Sequence, residues 1–190
     1  MIITTKQQNI IYEVHDYVKK QSEGFSELDD VFENHILGVV RFSEKLADLY
    51  KADKFVVLIA AYLHDISYIQ TKDHETHEIE ESQFVKKYLK KFDISKEDIE
   101  KVSMCILHHR GSKSSERKTI EEKIIACADA MDHIDRCLQM FYKKIAANTY
   151  EESMEFMKGK LARGWKKIEL PKARALVKKK YEAAKVLFGF

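Results

Sequence analysis

Phe55-Val-Val-Leu-Ile-Ala-Ala-Tyr-Leu-His64-Asp65 runs nine apolar residues directly into a histidine–aspartate pair. A segment that is apolar all round has to be buried all round, as a core helix or a core strand. Closing it with an imidazole and a carboxylate is costly, because buried polar groups raise the free energy unless they are paired or hold an ion. The rest of the chain supplies partners for that pair: His35, His77, His108, His109 and Asp129. The expectation is that these residues converge on one metal site inside an all-α domain.

The bulk properties agree with such a domain. The chain has 190 residues, 45% hydrophobic and 34% charged, which suits one domain with a sizeable core. Six glycines and one proline favour helices over a sandwich or barrel with many tight turns. The longest apolar run, Phe55 to Leu63, is well short of the ~20 residues a membrane-spanning helix needs. Met1 to Gln8 carries no apolar leader core, so a cytoplasmic protein with no membrane partner is expected. Cys105, Cys127 and Cys137 form no CxxC pair. They are read as reduced, buried thiols rather than a disulfide or a zinc ribbon.

Charge is unevenly distributed. From Lys143 to Phe190 there are 13 Lys/Arg against 5 Asp/Glu, whereas residues 1 to 142 hold 20 against 26. A basic tail on an acidic body would attract an anionic substrate or a nucleic acid. The same lysines would equally serve as the solvated outer face of terminal helices.

Outward from the central run, periodicity predicts a helix over residues 6–20, then one over 27–50 whose apolar stripe contains His35. A histidine in such a stripe faces the core, where it is either satisfied by a backbone carbonyl or holds an ion. Asp53 is read as the N-cap of a buried helix over residues 54–66. His64 and Asp65 then project ~100° apart at its end. Residues 67–76 are read as a polar loop carrying His74, and residues 75–92 as an amphipathic helix with His77 at its start. His77 is favoured over His74 for the pocket.

Ser95-Lys-Glu-Asp98 caps the next helix, whose inner stripe (Ile99, Val102, Cys105, Ile106) continues into His109 with His108 at its border. The loop of residues 111–118, with Arg110, Lys113, Arg117 and Lys118, could hold an anion beside them. Thr119-Ile-Glu-Glu122 caps a long helix reaching about residue 147, with Ile124, Ala128, Met131, Ile134, Leu138, Phe141 and Ile145 inward. Asp129 lies on the edge of that face, and Asp132 is read as a supporting or surface carboxylate. Helices over 151–165 and 172–188 close the chain, with Pro171 suited to the first turn of the last. That last helix should pack on the body or on a partner subunit through Leu176, Val177, Tyr181, Ala184, Leu187 and Phe188.

The ordered set of His35, His64-Asp65 within Ala-Tyr-Leu-His-Asp, His77-Glu-Ile-Glu-Glu-Ser82, Ile106-Leu-His-His and Asp129 within Ala-Cys-Ala-Asp-Ala resembles the HD superfamily of metal-dependent phosphohydrolases. The likeness spans roughly residues 30 to 135 and implies a compact helical HD-domain bundle with extra C-terminal helices. By that resemblance His35, His64, Asp65 and Asp129 would be the primary metal ligands. His77, His108 and His109 match positions that in some members bind a second metal or the substrate phosphate. Two departures stand out: Ser67 occupies a place where many members have glycine, and the Gly-Tyr-Pro signature of the cyclic-dinucleotide phosphodiesterases is missing.

The residue chemistry points the same way. Two imidazoles and two carboxylates make a mixed N/O site suited to Mn, Fe, Co, Ni or Zn, with Mg also compatible. Such an ion would polarise a phosphoryl oxygen and acidify a bound water, with Asp65 or a nearby histidine taking the proton. Arg110 or Lys113 could steady the phosphate charge. The expected substrate is a small phosphomonoester or phosphodiester, a nucleotide by preference. Two other functions fit the same residues: a non-catalytic, metal-stabilised module that grips nucleic acid or a protein through the basic tail, and an oxygen-activating enzyme with paired irons. The sequence leaves oligomerisation open.

Overall fold

The computed structural model describes residues 3–25, 30–72, 77–110 and 116–190, with backbone alone for residues 77–79. Among them every regular element is helical: α1 (Thr5–Gln21), α2 (Leu37–Tyr50), α3 (Lys54–Leu63), α4 (Ile66–Thr71), α5 (His77–Leu89), α6 (Lys96–Leu107), α7 (Ile120–Asp135), α8 (Cys137–Ile145), α9 (Tyr150–Lys167) and α10 (Pro171–Phe188). The all-α bundle expected from the sequence is therefore what the chain forms.

α3 is the axis. Every residue from Phe55 to Leu63 is buried, and α1, α2, α6 and α7 pack around it. Asp53 starts the helix by accepting from the Phe55 and Val56 amides at 3.1 and 3.2 Å. Its own amide donates to Glu121 at 3.0 Å, which fixes the start of α3 against the first turn of α7. Full burial of one Val, Leu or Ile side chain is worth about 1.5–3 kcal/mol. A helix made almost wholly of such residues can offset the cost of the polar pair at its end.

That end falls earlier than the apolar pattern implied. α3 stops at Leu63, and His64 and Asp65 form a turn in which Asp65 (φ −120°, ψ 24°) opens α4. The polar loop expected over residues 67–76 is corrected in its first half: residues 66–71 are helical because Ile66 and Ile69 share a buried face. His74 lies outside the described residues. Upstream, Phe32–Ile36 is a π-helical turn running straight into α2, so the expected helix over 27–50 carries an irregularity at His35.

The long helix expected to reach residue 147 breaks at Arg136 (φ −113°, ψ 28°), giving α7 and α8. The break turns the α8 stripe off the core. Leu138 and Ile145, expected inside, are 62% and 38% exposed, while Phe141 still meets Phe188 edge-on at 5.5 Å. α9 and α10 cover α7. They do so through buried Met157 and Leu161 on α9 and Val177, Tyr181, Ala184 and Phe188 on α10. Leu176 and Leu187 of α10 are exposed instead. Pro171 stands in the first turn of α10. The three cysteines are unpaired, and Cys105 and Cys127 are buried. No described helix is long and apolar enough to cross a membrane.

Candidate metal centre

The turn after α3 delivers His64 and Asp65 to the point where α2, α6 and α7 meet. Three imidazoles are oriented there, each through its Nδ1. The His64 Nδ1–H donates to the Ala61 carbonyl at 2.9 Å, and the His109 Nδ1–H to the Ile106 carbonyl at 2.5 Å. His35 Nδ1 lies 2.7 Å from the Asp132 carboxylate. A carbonyl can only accept, so in His64 and His109 Nδ1 carries the proton and Nε2 presents a lone pair. All three Nε2 atoms turn to the same place.

Asp65 is the hub. Its Oδ2 lies 3.5 Å from His35 Nε2 and 3.6 Å from His64 Nε2, and its Oδ1 lies 3.6 Å from His109 Nε2. Asp129, from the middle of α7, sets Oδ1 3.4 Å from His35 Nε2. The Nε2 atoms of His35 and His64 are 3.2 Å apart. Two ligands each 2.0–2.1 Å from one tetrahedral ion are separated by about 3.3 Å. The donor atoms of His35, His64 and Asp129 all lie within 4.8 Å of one another, as do those of Asp65, Glu81 and His109. The chemistry and spacing of these groups fit a divalent ion, with Asp65 adjoining both sets.

Electrostatics favour the charge states a metal needs at most positions. Burial drives the His64 ring down to about 4, which keeps it neutral. Burial alone would raise Asp65, but His64, His109 and His35 together hold it well below the usual carboxylate range. Burial works against Asp129 likewise, and Lys167, His133 and His35 outweigh it. Burial would lower His35, yet Asp129, Asp132 and Asp65 raise it well above an ordinary imidazole. An ion must displace that proton.

Several residues the sequence reading did not single out stand here. Glu81 of α5 is fully buried; its Oε1 accepts from the Ser67 amide at 3.0 Å, which caps the start of α4. Its Oε2 has no partner among the described residues. Burial and the facing Asp65 push Glu81 up to about 9. His133 stacks on His35 at 4.9 Å and approaches Asp129 at 3.4 Å. Its i, i+4 spacing from Asp129 on a predicted helix was the available signal. Lys167 pairs with Asp129. Glu81 stood within the quoted stretch His77-Glu-Ile-Glu-Glu-Ser82 without a role of its own, and no local pattern announced Lys167.

Of the residues expected at the site, His35, His64, Asp65, Asp129 and His109 are brought together. His108 is not. It turns away to a buried pair with Glu122 at 2.6 Å, which takes up its Nδ1. The side chain of His77 and all of Lys113 lie outside the described residues.

A cavity of about 930 Å³ opens over the cluster, reaching His35, Asp65, His109 and Asp129 at its floor. Its walls carry Arg110, Arg136, Lys160, Arg163, Lys166 and Lys167. The excess positive charge on α9 therefore faces the cavity, whereas Lys178, Lys179 and Lys180 of α10 are exposed. Arg117 also lines it, but donates to the His108 and Arg110 carbonyls at 2.9 and 3.0 Å and pairs with Glu169. It braces the end of α6 against the segment joining α9 to α10.

A helical bundle that gathers a histidine–aspartate cluster beneath a cationic cavity defines the class of an HD-domain protein. The chain belongs to the HD domain family, whose model matches residues 32–134. No curated protein matches it significantly. Among solved structures, the Lin1889 protein of Listeria innocua superposes with a TM-score of 0.71 at 19% identity, covering 96% of this chain and 93% of that one. An HD-superfamily hydrolase of Bacillus thuringiensis gives 0.69 at 16% identity, covering 96% and 95%. Bacillus subtilis YpgQ, in a complex with ADP, gives 0.64 at 24% identity, covering 90% of each chain. At these identities the likeness is one of fold.

Proposed function

We propose that this protein is a metal-dependent phosphohydrolase acting on a small nucleotide. The observation that carries the reading is the convergence of three imidazole Nε2 atoms, Asp65 and Asp129 on the floor of a cavity walled by lysines and arginines. His35, His64, Asp65 and Asp129 would hold the ion. A divalent ion in that place supplies polarisation of a phosphoryl oxygen and an acidified water.

The protein side chains do the rest. Arg110, Lys160 and Arg163 bind the anionic phosphates, and several cations spread over one cavity suit more than one phosphate group. The ADP bound to YpgQ, a protein of the same fold, supports a nucleotide. Asp65 both ligates and orients, and its depressed pKa makes it a weak proton acceptor. His109, whose Nε2 lone pair lies 3.6 Å from Asp65 Oδ1, takes the proton.

The test is metal analysis of the wild-type protein and of Asp65→Ala. Both are assayed on phosphomonoesters, nucleotides and phosphodiesters with Mn, Co, Ni or Mg added. Metal-dependent phosphate release from a nucleotide, abolished in Asp65→Ala, is the expected result. Bound metal without hydrolysis of any substrate would overturn the activity. No metal after reconstitution would overturn the site.

A further inference from the structure

His35 and residue 38 lie one turn apart on the same side of the helix entering α2, and both meet α7 at one carboxylate. Asp132 is fully buried. Its Oδ2 lies 2.7 Å from His35 Nδ1 and accepts from Arg136 Nη2 at 2.8 Å. Its Oδ1 accepts from Arg136 Nε at 3.1 Å. A Cβ built on Gly38 would lie 1.8 Å from Asp132 Oδ1 and 2.8 Å from Cγ. The carboxylate thus occupies the space that a side chain at position 38 would fill. The α2 backbone there is ordinary helix, so the glycine answers a need for room and not for a special φ.

We propose that Asp132 is the positioning residue for His35, and that Arg136 and the absent side chain of Gly38 hold its carboxylate in place. An imidazole has two nitrogens, and only one tautomer aims a lone pair at the centre. Asp132 takes the Nδ1–H, which directs Nε2 inward and makes the ring a stronger donor. His64 and His109 use backbone carbonyls for the same purpose. His35 sits in a π turn and is the one ring of the three that relies on a side chain. Arg136 pairs with the buried carboxylate through Nε and Nη2 and fixes its orientation.

The inference rests on the reading of His35 as a ligand, and the experiment separates the two. Wild type, His35→Ala, Asp132→Ala, Asp132→Asn and Gly38→Ala are titrated calorimetrically with Mn2+ and with Zn2+, with thermal unfolding of each metal-free protein as the folding control. Metal affinity should fall about 10–100-fold in Asp132→Ala. It should fall less in Asp132→Asn, whose amide oxygen can still accept from Nδ1–H. Gly38→Ala should also lose affinity, although alanine raises helix propensity and touches no ligand. In a His35→Ala background, Asp132→Ala and Gly38→Ala should cost nothing further.

Affinity unchanged in Asp132→Ala and Gly38→Ala, while His35→Ala loses metal, would overturn the positioning role alone. Equal losses in the His35→Ala background would do the same, marking Asp132 as a general support of the fold. Wild-type affinity in His35→Ala would overturn the ligand assignment and this inference together. Should Asp132→Ala fail to fold, Asp132→Asn and Gly38→Ala decide the matter.

Discussion

Glu81→Gln should stabilise the metal-free protein at alkaline pH and do little at acid pH. Glu81 is fully buried with one oxygen unpartnered among the described residues, and burial beside Asp65 raises its pKa from 4.5 to about 9. A carboxyl whose pKa is raised on folding keeps a proton that the unfolded chain releases. Its favourable contribution is therefore greatest below the unfolded value and is lost as pH climbs toward the folded one. Each pH unit in that window costs about 1.4 kcal/mol. Between about pH 5 and pH 8 the wild type should lose on the order of 4 kcal/mol relative to Glu81→Gln, which matches the protonated shape and does not titrate. Every other group is common to both proteins and cancels in the difference, apart from Asp65, which faces residue 81. The assay is urea unfolding in EDTA across that range. At about 2–4 °C per kcal/mol for a chain of this size, thermal midpoints should part by roughly 8–16 °C at the alkaline end. Stability–pH curves that run parallel would refute the reasoning.

Lys160 is held within the cavity wall, where burial lowers its pKa and Asp129 opposes the shift. Lys160→Met should raise KM for a nucleotide by about tenfold or more, as loss of one charge-assisted contact implies, with kcat little changed; steady-state kinetics read both. Asp53→Ala removes the cap of α3 and should cost about 1 kcal/mol of stability by urea unfolding, leaving metal affinity unaltered.

What could be read from the chain in advance was local. The nine-residue apolar run had no reading except burial, and it is the central helix. Asp53, Ser95 and Thr119 cap the helices they were expected to cap, because a cap is decided within three or four residues. What escaped depends on partners distant in sequence. The π turn at His35 and the break at Arg136 interrupt stripes that look continuous, since periodicity registers apolar spacing and not the packing that diverts it. Periodicity sets His109 on the inner stripe and His108 at its border, but that Glu122, fourteen residues on, would claim His108 could not be foreseen. The size requirement at Gly38 is set by a carboxylate 94 positions away. The basic tail left two readings open because a lysine's direction depends on which face of α9 meets α7.

The clustered ligand residues come from residues 35 to 129, whereas the cations above them come mainly from Arg136 and from Lys160 to Lys167 on α9. Most of the wall is thus encoded downstream of the floor, with Arg110 the exception. Substitutions of Lys160, Arg163 or Lys166 on α9 can redraw the charge map presented to a ligand without removing a donor atom beneath it, whereas Lys167 is tied to Asp129. Met157 and Leu161, buried on the same helix, anchor it meanwhile against the body. A lineage could in this way change what it recognises by drift in one helix while its metal chemistry stays fixed.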